Sequence, residues 1–153
     1  MKKKYIFITI IIIIFDQITK FYMVNTVENI VVMKEFLQFK VVKNTGMAWG
    51  INNENLLGII ITDIIVIFVL LKFCIRQKDN MSKLDTIAIT CIISGGISNL
   101  IDRILKGGVV DFIDISSVIY NFPIFNIADI FIVFGFFLFI ICTWNNMNEL
   151  RKI

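Results

Sequence analysis

The chain has 153 residues, of which 58% are hydrophobic and 18% charged, with a net charge of +3 and a mean hydropathy of +0.85. That apolar surplus excludes an ordinary soluble domain and leaves one integral-membrane domain over 1–153, with no repeat and no linker or like-charge run dividing it. Histidine is absent, which removes Ser-His-Asp and Cys-His catalysis and any His-based zinc site; basic residues do not interleave with aromatics, which argues against nucleic acid as a partner.

A bilayer core takes about 20 apolar residues as a helix. Tyr5 to about Val24 is the first such segment, opening with the block Ile10 to Ile14. Lys2, Lys3 and Lys4 precede it as in a secretory signal, but no small-x-small cleavage site follows, so the segment reads as a retained span. Next, Phe36 to Val42 alternates, with Leu37, Phe39 and Val41 on one side and Gln38 and Lys40 on the other; this predicts a short amphipathic strand. Leu56 to Ile75, about Leu84 to Leu105, and about Ile124 to Trp144 complete four predicted spans. Gly107-Gly108 reads as a helix stop and turn, and Gly95 and Gly96 as sites of close helix packing. Cys74, Cys91 and Cys142 lie in or beside apolar stretches without Cys-x-x-Cys spacing, which predicts buried, inert thiols.

Lysine and arginine are densest before the first span, in the short 76–83 connection and at the C-terminal end. The positive-inside rule then predicts both termini in the cytoplasm, with 25–55 and 106–123 outside. In that orientation the polar residues of the spans gather in the outer leaflet. Asp16 and Lys20 lie late in span one, Asn99, Asp102 and Arg103 end span three, Asn126 and Asp129 begin span four, and Asp111 follows span three. A rise of about 1.5 Å per residue puts Asp129 roughly 8 Å below the outer end of span four and Asp16 roughly 12 Å below that of span one. Local explanations exist: Asp16 and Lys20 have i, i+4 pairing, Asn126 and Asp129 have helix-cap spacing, and Arg103 and Lys106 suit interfacial anchors. Asp63, in mid-span two, has no evident partner, and Asp114 is expected to be solvated. Structural accidents, however, would not all choose one leaflet, and intramembrane ionisable groups mark functional sites.

Two carboxylates held together in a poorly solvated site share a proton near neutral pH. The ionised member takes a proton from water while the neutral one protonates a carbonyl oxygen, which amounts to peptide hydrolysis without a nucleophilic side chain. Asp111 and Asp129 are the best candidates because they flank a loop able to fold back. Asn99, Asn126 and Arg103 are placed to orient the pair and the substrate backbone. Two rival readings are a Ser-Lys hydrolase with Lys20 as base and Ser94, Ser98, Ser116 or Ser117 as nucleophile, and a small proton or ion conductor.

These residues carry a resemblance to the lipoprotein signal peptidases, or signal peptidase II. Asp16-Gln17-Ile18-Thr19-Lys20 is similar to that family's D-Q-x-x-K, and Asn44-Thr45-Gly46-Met47-Ala48-Trp49 to its N-x-G-x-A-[FW]. Asn99-Leu100-Ile101-Asp102-Arg103, Gly108-Val109-Val110-Asp111-Phe112 and Phe125-Asn126-Ile127-Ala128-Asp129 resemble N-x-x-D-R, G-x-V-V-D-F and F-N-x-A-D. Ser94 and Ser98 stand where the family usually has glycine, and Met47 replaces a smaller residue. The resemblance implies an all-α membrane fold, a four-helix transmembrane bundle with a small extracytoplasmic β-cradle and a surface helix. It implies Asp111 and Asp129 as a catalytic aspartate pair, with Asp16, Lys20, Asn44, Gly46, Asn99, Arg103 and Asn126 binding substrate or supporting the site. No cofactor or metal is implied. The implied partners are prolipoprotein signal peptides carrying diacylglyceryl-cysteine, membrane lipid and globomycin-type inhibitors. The implied setting is the bacterial cytoplasmic membrane, where a monomer suffices.

Overall fold

The computed structural model describes residues 3–26, 30–33, 36–46, 55–77 and 79–150, the side chains at 30 and 145–150 excepted. Four helices, α1 (Lys3–Thr26), α2 (Leu56–Arg76), α3 (Lys83–Lys106) and α4 (Ile127–Leu150), are each long and apolar enough to cross a membrane. The first three match the predicted spans to within two residues. The fourth begins at Ile127 rather than near Ile124, because Phe125 is drawn into pairing with Ile113.

α3 is the hub. It supplies more of the buried side chains than any other element, including Ala88, Ile89, Ile93, Ser94, Ser98, Asn99 and Asp102, while α1, α2 and α4 turn large apolar groups such as Phe7, Phe15, Phe68 and Phe137 outward. An apolar exterior around a more polar centre is the arrangement a lipid solvent favours. α3 packs closely on α4 through small residues. A Cβ on Gly95 would run into the carbonyl oxygen of Ala128, and one on Gly135 would sit 2.5 Å from the carbonyl oxygen of Ala88. Gly96 differs from expectation, since a Cβ there would meet only Ile67, at an ordinary 3.6 Å. The three cysteines are buried and free, Cys74 within the cluster of Ile89 and Ile93.

The capping signals work as local chemistry dictates. Ser82 and Asp85 exchange hydrogen bonds at the start of α3, and Gly107 ends it in the left-handed region at φ 69°, which glycine adopts without steric cost. The chain then enters a three-stranded antiparallel sheet of β1 (Ile30–Met33), β2 (Leu37–Asn44) and β3 (Val109–Asp114), in that order. β2 contains most of the predicted strand; Phe39 meets Phe112 edge to face. β1 and β3 were not predicted from alternation. All three strands join the same end of the bundle, where α1 and α3 finish and α2 and α4 begin. No fifth helix occurs among the described residues, so the surface helix implied by resemblance is not found there; 116–121 is a run of turns and a bend. Met47, Ala48 and Trp49 lie outside the described residues.

Candidate active site

The site forms where β3 and the start of α4 are brought side by side. Beyond β3 the chain turns through Asn121, at φ 57°, and Pro123. It returns antiparallel, and Phe125 exchanges backbone hydrogen bonds with Ile113 at 2.8 and 3.1 Å. This pairing sets Asn126, the first residue past the bridge, against Asp111. Asn126 caps α4 in the manner its spacing predicts: its Oδ1 accepts from the Asp129 N–H at 2.9 Å, and its own N–H donates to Asp129 Oδ2 at 3.1 Å. The same side chain donates through Nδ2 to Asp111 Oδ1 at 2.6 Å and to Asn99 Oδ1 at 3.2 Å. The structural and site readings of Asn126 therefore hold together, since the cap orients the amide that links the two carboxylates.

Each remaining carboxylate oxygen also receives one amide donor. Asn44 Nδ2 donates to Asp111 Oδ2 at 3.0 Å, its orientation fixed by the Gly46 N–H donating to Asn44 Oδ1 at 3.0 Å. Asn99 Nδ2 donates to Asp129 Oδ1 at 2.8 Å, and Asn99 Oδ1 accepts from Lys20 Nζ at 2.9 Å. No cation among the described residues forms an ion pair with Asp111 or Asp129. Asp111 is 3% exposed. Burial first, and then the negative charge of Asp129, push its carboxyl up to about 6 against the pull of the Asn44 and Asn126 amides and Lys20. A neutral carboxylic acid beside an ionised one is thereby accessible near physiological pH.

Behind the asparagines lies a buried charge cluster. Lys20 Nζ is 2.7 Å from Asp16 Oδ2 and 3.1 Å from Asp102 Oδ2, with all three side chains fully buried. Asp16 Oδ1 accepts from the Ala128 N–H at 2.8 Å, tying α1 to the head of α4. Asp102 Oδ2 accepts from the Val110 N–H at 3.2 Å, tying α3 to β3, and Lys106 pairs with Asp102 Oδ1 at 2.6 Å. The i, i+4 pairing of Asp16 with Lys20 is thus one edge of a cluster spanning three helices and a strand. Ser98, where resemblance leads one to expect glycine, donates to Asp16 Oδ2 at 2.7 Å and accepts from Gln17 Nε2 at 3.0 Å. These contacts give Gln17 and Ser98 structural duties that local spacing did not reveal. Asp114, expected to be solvated, accepts the Ser116 N–H at 2.8 Å.

Asp63 has a partner after all: Arg103 Nη1 lies 3.0 Å from its Oδ2. The two stand on different helices, so no sequence spacing connects them. The usable signal was the cost of an acid in an apolar span, which demands a cation at similar depth.

The two carboxylates open onto a cavity of about 550 Å³, lined by Asn44, Asn99 and Arg103 and, for most of its surface, by apolar groups such as Phe122, Ile124 and Val133. This combination suits an amphipathic substrate with one polar, reactive region. The Ser-Lys arrangement is not formed: Lys20 is held by Asp16, Asp102 and Asn99, while Ser98 is turned to Asp16 and Ser94 to the Thr90 carbonyl.

The family model described as signal peptidase (SPase) II matches residues 8–145. The chain belongs to that family. The lipoprotein signal peptidase of Staphylococcus aureus strain JH9 is 38% identical over 160 residues, covering 99% of this chain and 98% of that protein. Two solved structures of bacterial membrane enzymes, determined by the in meso method at 2.3 and 1.9 Å, superpose with TM-scores of 0.88 and 0.83. They are 35% and 37% identical, covering 97% and 94% of this chain and 92% and 94% of theirs. Membership makes the chain a multi-pass bacterial membrane peptidase, and the likeness in fold extends over nearly its whole length.

Proposed function

We propose that this single-domain chain is an aspartic endopeptidase that removes the signal peptide from diacylglyceryl-modified prolipoproteins, cutting just before the lipidated cysteine. In this reading Asp111 and Asp129 share one proton. The ionised carboxylate takes a proton from a water molecule whose oxygen attacks the scissile carbonyl carbon, while the neutral carboxyl protonates the carbonyl oxygen. The tetrahedral gem-diol then collapses: the C–N bond breaks, the proton taken from water passes to the departing amine, and one gem-diol hydroxyl returns its proton to the other carboxylate as the new carbonyl forms, restoring the shared proton.

The observation that carries the proposal is the double use of Asn126, whose side chain donates to Asp111 while its backbone N–H donates to Asp129. Asn44, Asn99 and Gly46 complete the orientation of the pair. Arg103 serves as a donor to the substrate backbone. Asp16 and Lys20 brace the strand and helix that carry the two acids. The apolar lining receives the lipid chains and the hydrophobic signal segment, and globomycin-type inhibitors occupy the same cavity. The basic residues support cytoplasmic termini and an active site near the outer leaflet. A monomer holds every proposed catalytic group.

The test is reconstitution of purified protein in lipid with one prolipoprotein in two forms, with and without the diacylglyceryl group. The expected result is a single cut, with the lipidated cysteine as the new N-terminal residue by mass spectrometry and the unlipidated form left intact. Equal cleavage of both forms, or a cut elsewhere, contradicts the substrate assignment.

A further inference from the structure

Asp63 is the sole acid of α2. It lies seven residues into the helix, about 10 Å along its axis. Arg103, three residues before the end of α3, begins nearer the surface, but side chains lean toward the N-terminus of their helix. The guanidinium is thereby carried deeper, toward Asp63, and the two groups meet at 3.0 Å with 12% and 24% of the Arg103 and Asp63 side chains exposed.

The rest of the guanidinium is also constrained. Nη2 donates to the Gly46 carbonyl at 3.4 Å, and the Nε–H is buried without an acceptor among the described residues. Arg103 lines the cavity together with Asp111 and Asp129, whereas Asp63 does not. A cation so placed has an obvious competing arrangement, which is to swing onto one of the two carboxylates and neutralise it. A fixed acid on the far side opposes that swing. Because a guanidinium is a rigid planar fork, holding one amino group also sets the direction of Nε.

We propose that Asp63 is a positioning residue for the reaction. It holds Arg103 at the cavity wall, off Asp111 and Asp129, so that guanidinium N–H groups not engaged by Asp63 or Gly46 can meet a backbone carbonyl of the substrate. This role rests on the peptidase reading given above and adds to it a residue on α2. Asp63 acts only through Arg103. A buried ion pair is weak evidence for stability as such, since apolar groups of similar volume often do as well. Its value here is to set where one cation points.

The experiment compares wild type, Asp63→Asn, Asp63→Glu, Arg103→Gln and the double variant Asp63→Asn/Arg103→Gln in the reconstituted cleavage of a diacylglyceryl-modified prolipoprotein. Asp63→Asn is expected to raise KM about tenfold, from the lost hold on the substrate carbonyl, and to lower kcat as well, because the freed guanidinium can pair with one of the two carboxylates. Asp63→Glu, which keeps the charge, recovers most of that loss. The double variant matches Arg103→Gln alone, because residues acting through one group are not additive. An unchanged KM in Asp63→Asn, even with lowered thermal stability, overturns the positioning role. If the single neutral variant is not recovered from membranes, the double variant decides, since it leaves no charge unpaired; a KM well above that of Arg103→Gln contradicts the coupling. Wild-type protein that leaves the substrate uncut refutes the peptidase reading itself, and the role of Asp63 with it.

Discussion

Asp111 has a cost for the fold that can be measured apart from activity. Its carboxyl titrates at about 6 in the folded protein, above the ordinary carboxylate range, because it is buried and faces Asp129. A folded-state pKa raised above the unfolded value means that the folded state binds the proton more tightly. Stability is therefore full below the unfolded pKa and declines as pH rises from about 4 through about 6. At about 1.4 kcal/mol per pKa unit the loss approaches 3 kcal/mol at neutral pH. Asp111→Asn escapes it, less the cost of an amide group facing the Asn44 or Asn126 donor. The variant is expected to melt higher than wild type at about pH 7.5, with the difference shrinking toward about pH 4.5. Thermal unfolding in detergent checks this; a gap independent of pH would show that ionisation of Asp111 is not its source. That Asp111 and Asp129 come together was legible because polar residues in an apolar chain are few and their depth along each span can be counted. The partner of Asp63 was not, because pairs between helices leave no periodic trace.

Among the elements, α3 and α4 touch where α4 begins, so packing there bears directly on the geometry of Asp129. Gly95 has no room for a Cβ against Ala128, whose N–H is held by Asp16 and whose successor is Asp129. Overpacking of this kind costs about 1–3 kcal/mol. Gly95→Ala is thus expected to lower the melting temperature and activity together, whereas Gly96→Ala, with only Ile67 nearby at 3.6 Å, leaves both within error. Equal tolerance at the two positions would contradict the account of this contact. Helix spans were readable from composition alone, since a membrane segment announces itself by length. Of the strands, β2 showed alternation, but β1 has four residues and β3 six, too short for a period of two to stand out beside apolar helices. The start of α4 shifted to Ile127 for a related reason: Phe125 belongs to the sheet by pairing, not by any local propensity.

At the scale of the whole molecule, the fold solves one problem several times: it places ionisable groups in an apolar solvent without leaving them alone. Asp16, Lys20, Asp102 and Lys106 form a neutral chain of contacts linking α1, α3, β3 and α4, and Asp63 with Arg103 adds α2. Among the described acids around the cavity, Asp111 and Asp129 are left to amide donors, which orient carboxylates without cancelling their charge. That contrast supports the proposal that these two are the reactive acids. The most direct measurement is cleavage of a diacylglyceryl-modified prolipoprotein by reconstituted wild type, Asp111→Asn and Asp129→Asn, each confirmed as folded in the membrane. The account predicts that each substitution alone reduces the rate by about a thousandfold or more. Full activity in either variant would contradict it.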